Sequence, residues 1–97
     1  ILALYTTHNA PLVIAYEPVW SVGTGITPDK NHLQKVYTFI QDQCNKHKIQ
    51  NVPKLLYGGS VDENTLLTLK DTPLIQGYLI GGASTDFQKL KKIVKLI

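Results

Sequence analysis

Residues 16–25 read Tyr-Glu-Pro-Val-Trp-Ser-Val-Gly-Thr-Gly. The carboxylate of Glu17 ends an apolar run, and stiff Pro18 and then the glycines Gly23 and Gly25 follow it. Proline forces the residue before it into extended backbone. Glu17 therefore continues the preceding strand, and a rigid element aims its side chain. A carboxylate held that way suits a general base, although the same residue in isolation could equally be a structural acid. Gly58-Gly59-Ser60 and Gly81-Gly82 each follow another short apolar run. Glycine lets backbone come close to a ligand and adopt positive φ, and successive exposed N–H groups form anion-binding nests. Any one glycine pair marks no more than a turn. Three clusters beside one carboxylate, all at strand ends, describe a base facing a cradle of neutral donors for a phosphate.

The elements that must carry these residues alternate. Leu12 to Tyr16 is unbroken and apolar, the mark of a strand covered on both faces. Thr27-Pro28 offers an N-cap and a first-turn proline. Leu33, Val36, Tyr37, Ile40 and Cys44 then recur at steps of three or four, which predicts one amphipathic helix. Lys54 to Tyr57 reads as a second strand. Asp62 can cap a short helix with Leu66, Leu67 and Leu69 that stops before Thr72-Pro73. Gly77 to Ile80 reads as a third strand. A final helix is expected directly after Gly81-Gly82, which would add the favourable end of its dipole. That helix is expected to bury Phe87, Leu90, Ile93, Val94 and Ile97. Strand–helix alternation at this spacing predicts βαβ units with parallel strands, and in such folds ligands bind at the carboxyl edge of the sheet.

Composition narrows the function further. With 97 residues and 43% hydrophobic content, the chain suits one globular unit. Ten lysines and no arginine produce the net charge of +3. Lys89, Lys91, Lys92 and Lys95 lie on the last helical segment, so they read as a solvated face rather than a nucleic-acid footprint. The apolar runs are far shorter than the roughly 18 residues of a spanning helix, so no membrane partner is expected. A single Cys44 cannot form an internal disulfide and fits a reducing compartment. His8, His32 and His47 read as solvated, and no metal-ligand set is apparent. The chain opens at Ile1 in the middle of an apolar pattern, without Met. An open parallel sheet of three strands leaves two unprotected edges. An eight-unit barrel takes about 250 residues, so three units take about 94. The expected architecture is α/β, three βα units of a parallel (β/α)8 barrel, with residues 1–97 as part of a single domain.

The segments "AYEPVWSVGTG" at 15–25, "YGGSV" at 57–61 and "GYLIGGAS" at 77–84 resemble the triosephosphate isomerase family, in family order and spacing over nearly all of residues 12–97. The resemblance implies the last three βα units of the barrel, with Glu17 as the base in a proton transfer that passes through an enediolate. It implies that Pro18, Val19 and Trp20 form the hinge of a mobile lid with Val22, Gly23, Thr24 and Gly25 at its tip. It further implies that Gly23, Ser60, Gly81 and Gly82 bind the substrate phosphate, and that Tyr57 and Gly59 receive the closed lid. Many members carry Lys and then Thr or Ser after the tip. Here the order is Ile26-Thr27-Pro28, which reads as altered lid kinetics. A cytoplasmic, homodimeric parent enzyme acting on a triose phosphate, with no cofactor and no metal, is implied as well. The family's Lys and neutral His that polarise the carbonyl match no position in the 97 residues, so the isolated piece is expected to be inactive. Two other readings stay open: a half-barrel that catalyses nothing, or another phosphate-binding barrel enzyme. Such barrels share glycine-rich strand ends, but not "YEPVW" ahead of a "GTG" lid.

Overall fold

The structure, a computed structural model, describes residues 11–49 and 52–97. The expectations for Ile1 and His8 lie outside the described residues. Three parallel strands, in the order β1-β2-β3, form one sheet: β1 at Val13–Tyr16, β2 at Lys54–Tyr57 and β3 at Gly77–Tyr78. Helices α1 (Lys30–Lys46), α2 (Thr65–Leu69) and α3 (Phe87–Leu96) join and follow them. The predicted alternation is present in chain order.

One face of the sheet carries the core. The register pairs Ile14 with Leu55 and Tyr16 with Tyr57, and Tyr57 in turn with Tyr78, so these side chains share a face. Leu33 and Tyr37 of α1, Leu66 and Leu69 of α2, and Ile93 of α3 pack on Leu55 and Tyr57 in one buried cluster. The Tyr37 hydroxyl donates to the Leu56 carbonyl at 2.8 Å, and its ring meets Tyr16 edge-on with centroids 6.1 Å apart. The predicted stripe of α1 is the one that packs: Leu33, Tyr37 and Cys44 are buried, and Val36 and Ile40 half-buried.

Five expectations need correction. β1 is covered on one face only, since Ile14 and Tyr16 pack on the core while Val13 and Ala15 are exposed. Unbroken apolarity reports that both faces tolerate burial, not that both have a partner. The cap of α1 is Asp29, not Thr27, because its carboxylate reaches the His32 N–H at 2.8 Å. Pro28 therefore precedes the cap. β3 is shorter than expected, although Leu79 N–H still donates to the Tyr57 carbonyl at 2.8 Å. α3 does not start at Gly81-Gly82. A 3-10 turn (Gly82–Thr85) intervenes, and Asp86 caps α3 by accepting from the N–H groups of Gln88 and Lys89. Nor does α3 bury the expected stripe. Ile93 is buried and Leu90 half-buried, whereas Phe87 is 72% exposed and Val94 and Ile97 are exposed too. Its apolar face is wider than the surface that β2 and β3 offer it.

Burial raises the proton affinity of the Tyr37 phenol, and the neighbouring Tyr57, Tyr16 and Tyr78 reinforce the effect. The folded protein thus holds this proton more tightly than the unfolded chain does. Stability should be insensitive to Tyr37 below about pH 9 and fall as pH rises past about 10, the ordinary phenol value. In urea unfolding, Tyr37→Phe should cost about 0.5–1.5 kcal/mol at neutral pH through the lost hydrogen bond, and should show a shallower alkaline decline than the parent. Parallel alkaline slopes would rule out this contribution.

Candidate active site at the strand ends

The parallel register brings all three glycine clusters to one edge. Continuing the pairing of Tyr16 with Tyr57 sets Glu17 beside Gly58, whose N–H donates to the Tyr16 carbonyl at 2.9 Å. A Cβ built on Gly58 would lie 2.6 Å from Glu17 Cγ. The stem of the Glu17 side chain passes over bare backbone, which explains why a glycine stands there. Glu17 is exposed, and among the described residues none hydrogen-bonds its carboxylate. Extended by Pro18 as expected, it projects from the strand end.

After buried Pro18 the chain turns twice: Ser21 N–H donates to Pro18 O at 2.8 Å, and Thr24 N–H to Ser21 O at 3.2 Å. Gly23 and Gly25 sit at φ +71° and +74°, where a residue with a Cβ is strained. Trp20 is 55% exposed and so is no core residue, and Val19 and Val22 are exposed with it. This segment folds over the Gly58-Gly59-Ser60 turn. The N–H groups of Thr24 and Gly25 donate to Ser60 Oγ at 3.2 and 3.0 Å, and Ser60 Oγ donates to the Ser21 carbonyl. In this arrangement the hydroxyl proton of Ser60 is given to the segment that follows Pro18.

Glu17, Gly23, Gly25, Ser60, Gly81 and Gly82, with Val22, line a single cavity of about 440 Å³. Pro18, Val19, Trp20 and Thr24 lie outside its lining, in the same segment as Val22, Gly23 and Gly25. A carboxylate with no hydrogen-bonded partner among the described residues and six glycines thus share the lining with apolar side chains such as Val61, Leu79 and Ile93. Asp62 and Glu63 also line it, but both have structural partners. Asp62 accepts from the N–H groups of Asn64 and Thr65 at 2.8 Å each, the capping role read from sequence. Glu63 forms an exposed ion pair with Lys92 at 3.7 Å.

Sequence reasoning missed two residues. Lys89 lines the cavity from the first turn of α3, and only its place in a run of lysines marked it. Ser21 is buried at the junction of the two turns, with its Oγ 2.9 Å from the Tyr57 hydroxyl. No period or motif flagged it. Burial raises the proton affinity of the Tyr57 phenol, opposed by the Ser21 hydrogen bond and reinforced by Tyr16, so it remains a neutral hydroxyl.

Comparison with known proteins gives a consistent answer. The family model described as triosephosphate isomerase matches residues 1–97. The triosephosphate isomerase of Legionella pneumophila (strain Lens) is 43% identical over 88 residues, which is 88% of this chain and 35% of the relative. That of Mycoplasmopsis agalactiae is 41% identical over 87 residues, 88% of this chain and 31% of the relative. That of Buchnera aphidicola subsp. Acyrthosiphon pisum is 33% identical over 95 residues, 96% of this chain and 37% of the relative. The chain spans about a third of the length of the curated relatives it matches.

A Cβ on Gly59 would lie 2.7 Å from both Ser21 Oγ and Tyr57 Cζ, wedging the two turns apart, whereas one on Gly82 meets nothing within 4 Å. Gly59→Ala should therefore destabilise by about 1–3 kcal/mol through overpacking. Gly82→Ala should stay within about 0.5 kcal/mol of the parent in the same urea unfolding measurement. Equal effects would mean that the close approach at Gly59 carries no weight.

Proposed function

The chain belongs to the triosephosphate isomerase family, and from that premise we propose that the protein carrying it interconverts dihydroxyacetone phosphate and D-glyceraldehyde 3-phosphate. Glu17 is the base. It takes a proton from the carbon beside the carbonyl, leaving an enediolate, and the proton returns to the neighbouring carbon. The reaction moves protons and an electron pair within one molecule and balances without a redox partner. The backbone around Gly23, Gly81 and Gly82 holds the phosphate, and Ser60 joins it by turning to the phosphate the hydroxyl proton that the Ser21 carbonyl holds in this arrangement. Pro18, Val19 and Trp20 act as the hinge, and Val22, Gly23, Thr24 and Gly25 as the tip of a lid. Triosephosphate isomerases are a standard example of lid closure in enzymes generally. Closure excludes water and strengthens the electrostatics inside.

One observation carries this reading: a carboxylate with no hydrogen-bonded partner among the described residues shares a single cavity with glycine backbone from the ends of three parallel strands. Aldolase-like or synthase barrels would account for the glycines, but not for a carboxylate ahead of a lid that folds over them.

The parent is proposed to be a (β/α)8 barrel of one domain, homodimeric and cytoplasmic, in which these 97 residues supply the last three βα units. The bare face of β1, at Val13 and Ala15, is the face that the other strands of such a barrel would cover. The carbonyl-polarising Lys and His of the family correspond to no residue here. The isolated 97-residue chain is therefore expected to show no isomerisation above buffer.

In the protein that carries this chain, Glu17→Asp withdraws the carboxylate by one methylene. It should lower kcat for dihydroxyacetone phosphate about 10²-fold, the cost of misplacing a reacting group by about 1 Å, with KM little changed and the circular dichroism spectrum intact. A near-parental kcat in a coupled assay would remove Glu17 as the base.

A further inference from the structure

Within an exposed segment, Ser21 is inverted. Val19 is 88% exposed, yet the neighbouring polar Ser21 is 0% exposed. Large apolar residues point to solvent and a hydroxyl points in, the reverse of ordinary partition. Such an inversion requires the buried hydroxyl to be fully bonded. Here it is. Ser21 Oγ donates to the carbonyl of Ile26, across the lid itself. With its single proton engaged there, it accepts at its two lone pairs. One is taken by the Tyr57 hydroxyl at 2.9 Å and the other by the Ser60 N–H at 3.2 Å.

The same residue acts through its backbone, since the Ser21 carbonyl accepts from Ser60 Oγ and from Thr24 Oγ1, the latter at 2.9 Å. Ser21 thus takes part in three of the five hydrogen bonds between lid and turn, the other two being the Thr24 and Gly25 N–H groups on Ser60 Oγ. Those two depend on it indirectly, because Ser60 Oγ is oriented by its own bond to the Ser21 carbonyl. No buried apolar anchor at the tip could replace these bonds, because Val22 is exposed, as are Gly23, Thr24 and Gly25.

We infer that the Ser21 hydroxyl is the latch of the lid, a positioning residue that locks the segment bearing Gly23 over the cavity by bridging Ile26, Tyr57 and Ser60. For its effect on turnover this rests on the isomerase reading above; for its effect on the lid it does not. Counting protons gives the direction of each bond: Tyr57 to Ser21, Ser60 N–H to Ser21, and Ser21 to Ile26. Removing the hydroxyl strands two donors on buried Tyr57 and Ser60 at once, together with the carbonyl of Ile26 at the exposed rim.

The test is amide hydrogen exchange by NMR on the protein that carries this chain, with Ser21→Ala and Tyr57→Phe alone and combined. With Ser21→Ala, protection at the Ser60 and Gly25 amides should fall about 10- to 100-fold, the loss expected when buried partners are left unpaired. Protection at the Gly58 amide, which bonds to the Tyr16 carbonyl at 2.9 Å, should be unchanged. Tyr57→Phe should loosen the same amides, and the double variant should loosen them no further than Ser21→Ala alone, because the two hydroxyls act as one unit. The parental isomerase kcat/KM should fall about tenfold with the lid, as the competent closed state becomes less populated. Unchanged protection at Ser60 and Gly25 would overturn the latch, and so would a loss spread equally over the sheet amides. If those amides loosen as expected in a protein with no isomerase activity, the latch stands and the isomerase reading falls.

Discussion

The pairing of Tyr16 with Tyr57 across β1 and β2 is the constraint on which the site depends. Parallel pairing makes both strands end at the same edge, so whatever follows Tyr16 meets whatever follows Tyr57. Glu17 then lies against Gly58, and Pro18 begins a segment that can cross to Ser60. A shift of one residue would turn Glu17 to the helical side and the tyrosines out of the core, because side chains alternate along a strand. The register is held by what it buries. Leu55 and Tyr57 are the floor on which α1, α2 and α3 all converge, so the packing that stabilises the fold also aligns the chemistry.

The segment from Pro18 to Ile26 is secured in a different way from the sheet. Where the sheet has apolar burial, this segment has hydrogen bonds gathered around Ser21 and Ser60. Each such bond contributes only about 0.5–1.5 kcal/mol net, and the entropy of ordering the segment's backbone opposes them. The segment therefore lacks the apolar anchoring that fixes the sheet, and its large residues Val19, Trp20 and Val22 are exposed.

What could be read from sequence follows from these two modes. The strands, the stripe of α1, the Asp62 cap and the gathering of Glu17 with the glycines at one edge were legible, because periodicity and proline or glycine chemistry act locally. The burial of α3 was not, because the spacing of Leu90, Ile93 and Val94 reveals an apolar face without revealing whether anything covers it. Asp29 displaced Thr27 as the cap for a reason of position, since it stands three residues before the N–H it receives. Ser21 was invisible. Its importance comes from residues far along the chain, Tyr57 and Ser60, and nothing local distinguishes it from any turn serine.

The charges around the cavity fit a division of labour. An anion could be held by lysines, but a lysine in contact with Glu17 would pair with it and compete for the electron pair that a base must offer. Backbone amides attract an anion without that competition, since they carry a dipole but no net charge and have no carboxylate partner to seek. Lys89 lines the cavity yet forms no ion pair with Glu17. Asp62 and Glu63 also line the cavity, but the carboxylate of the first is engaged by amides at the start of α2 and the second faces Lys92. Of the three carboxylates that line the cavity among the described residues, Glu17 alone has its oxygens uncommitted to the fold. On the proposed function, a phosphate held by backbone amides rather than by a lysine would leave the Glu17 carboxylate unpaired beside it.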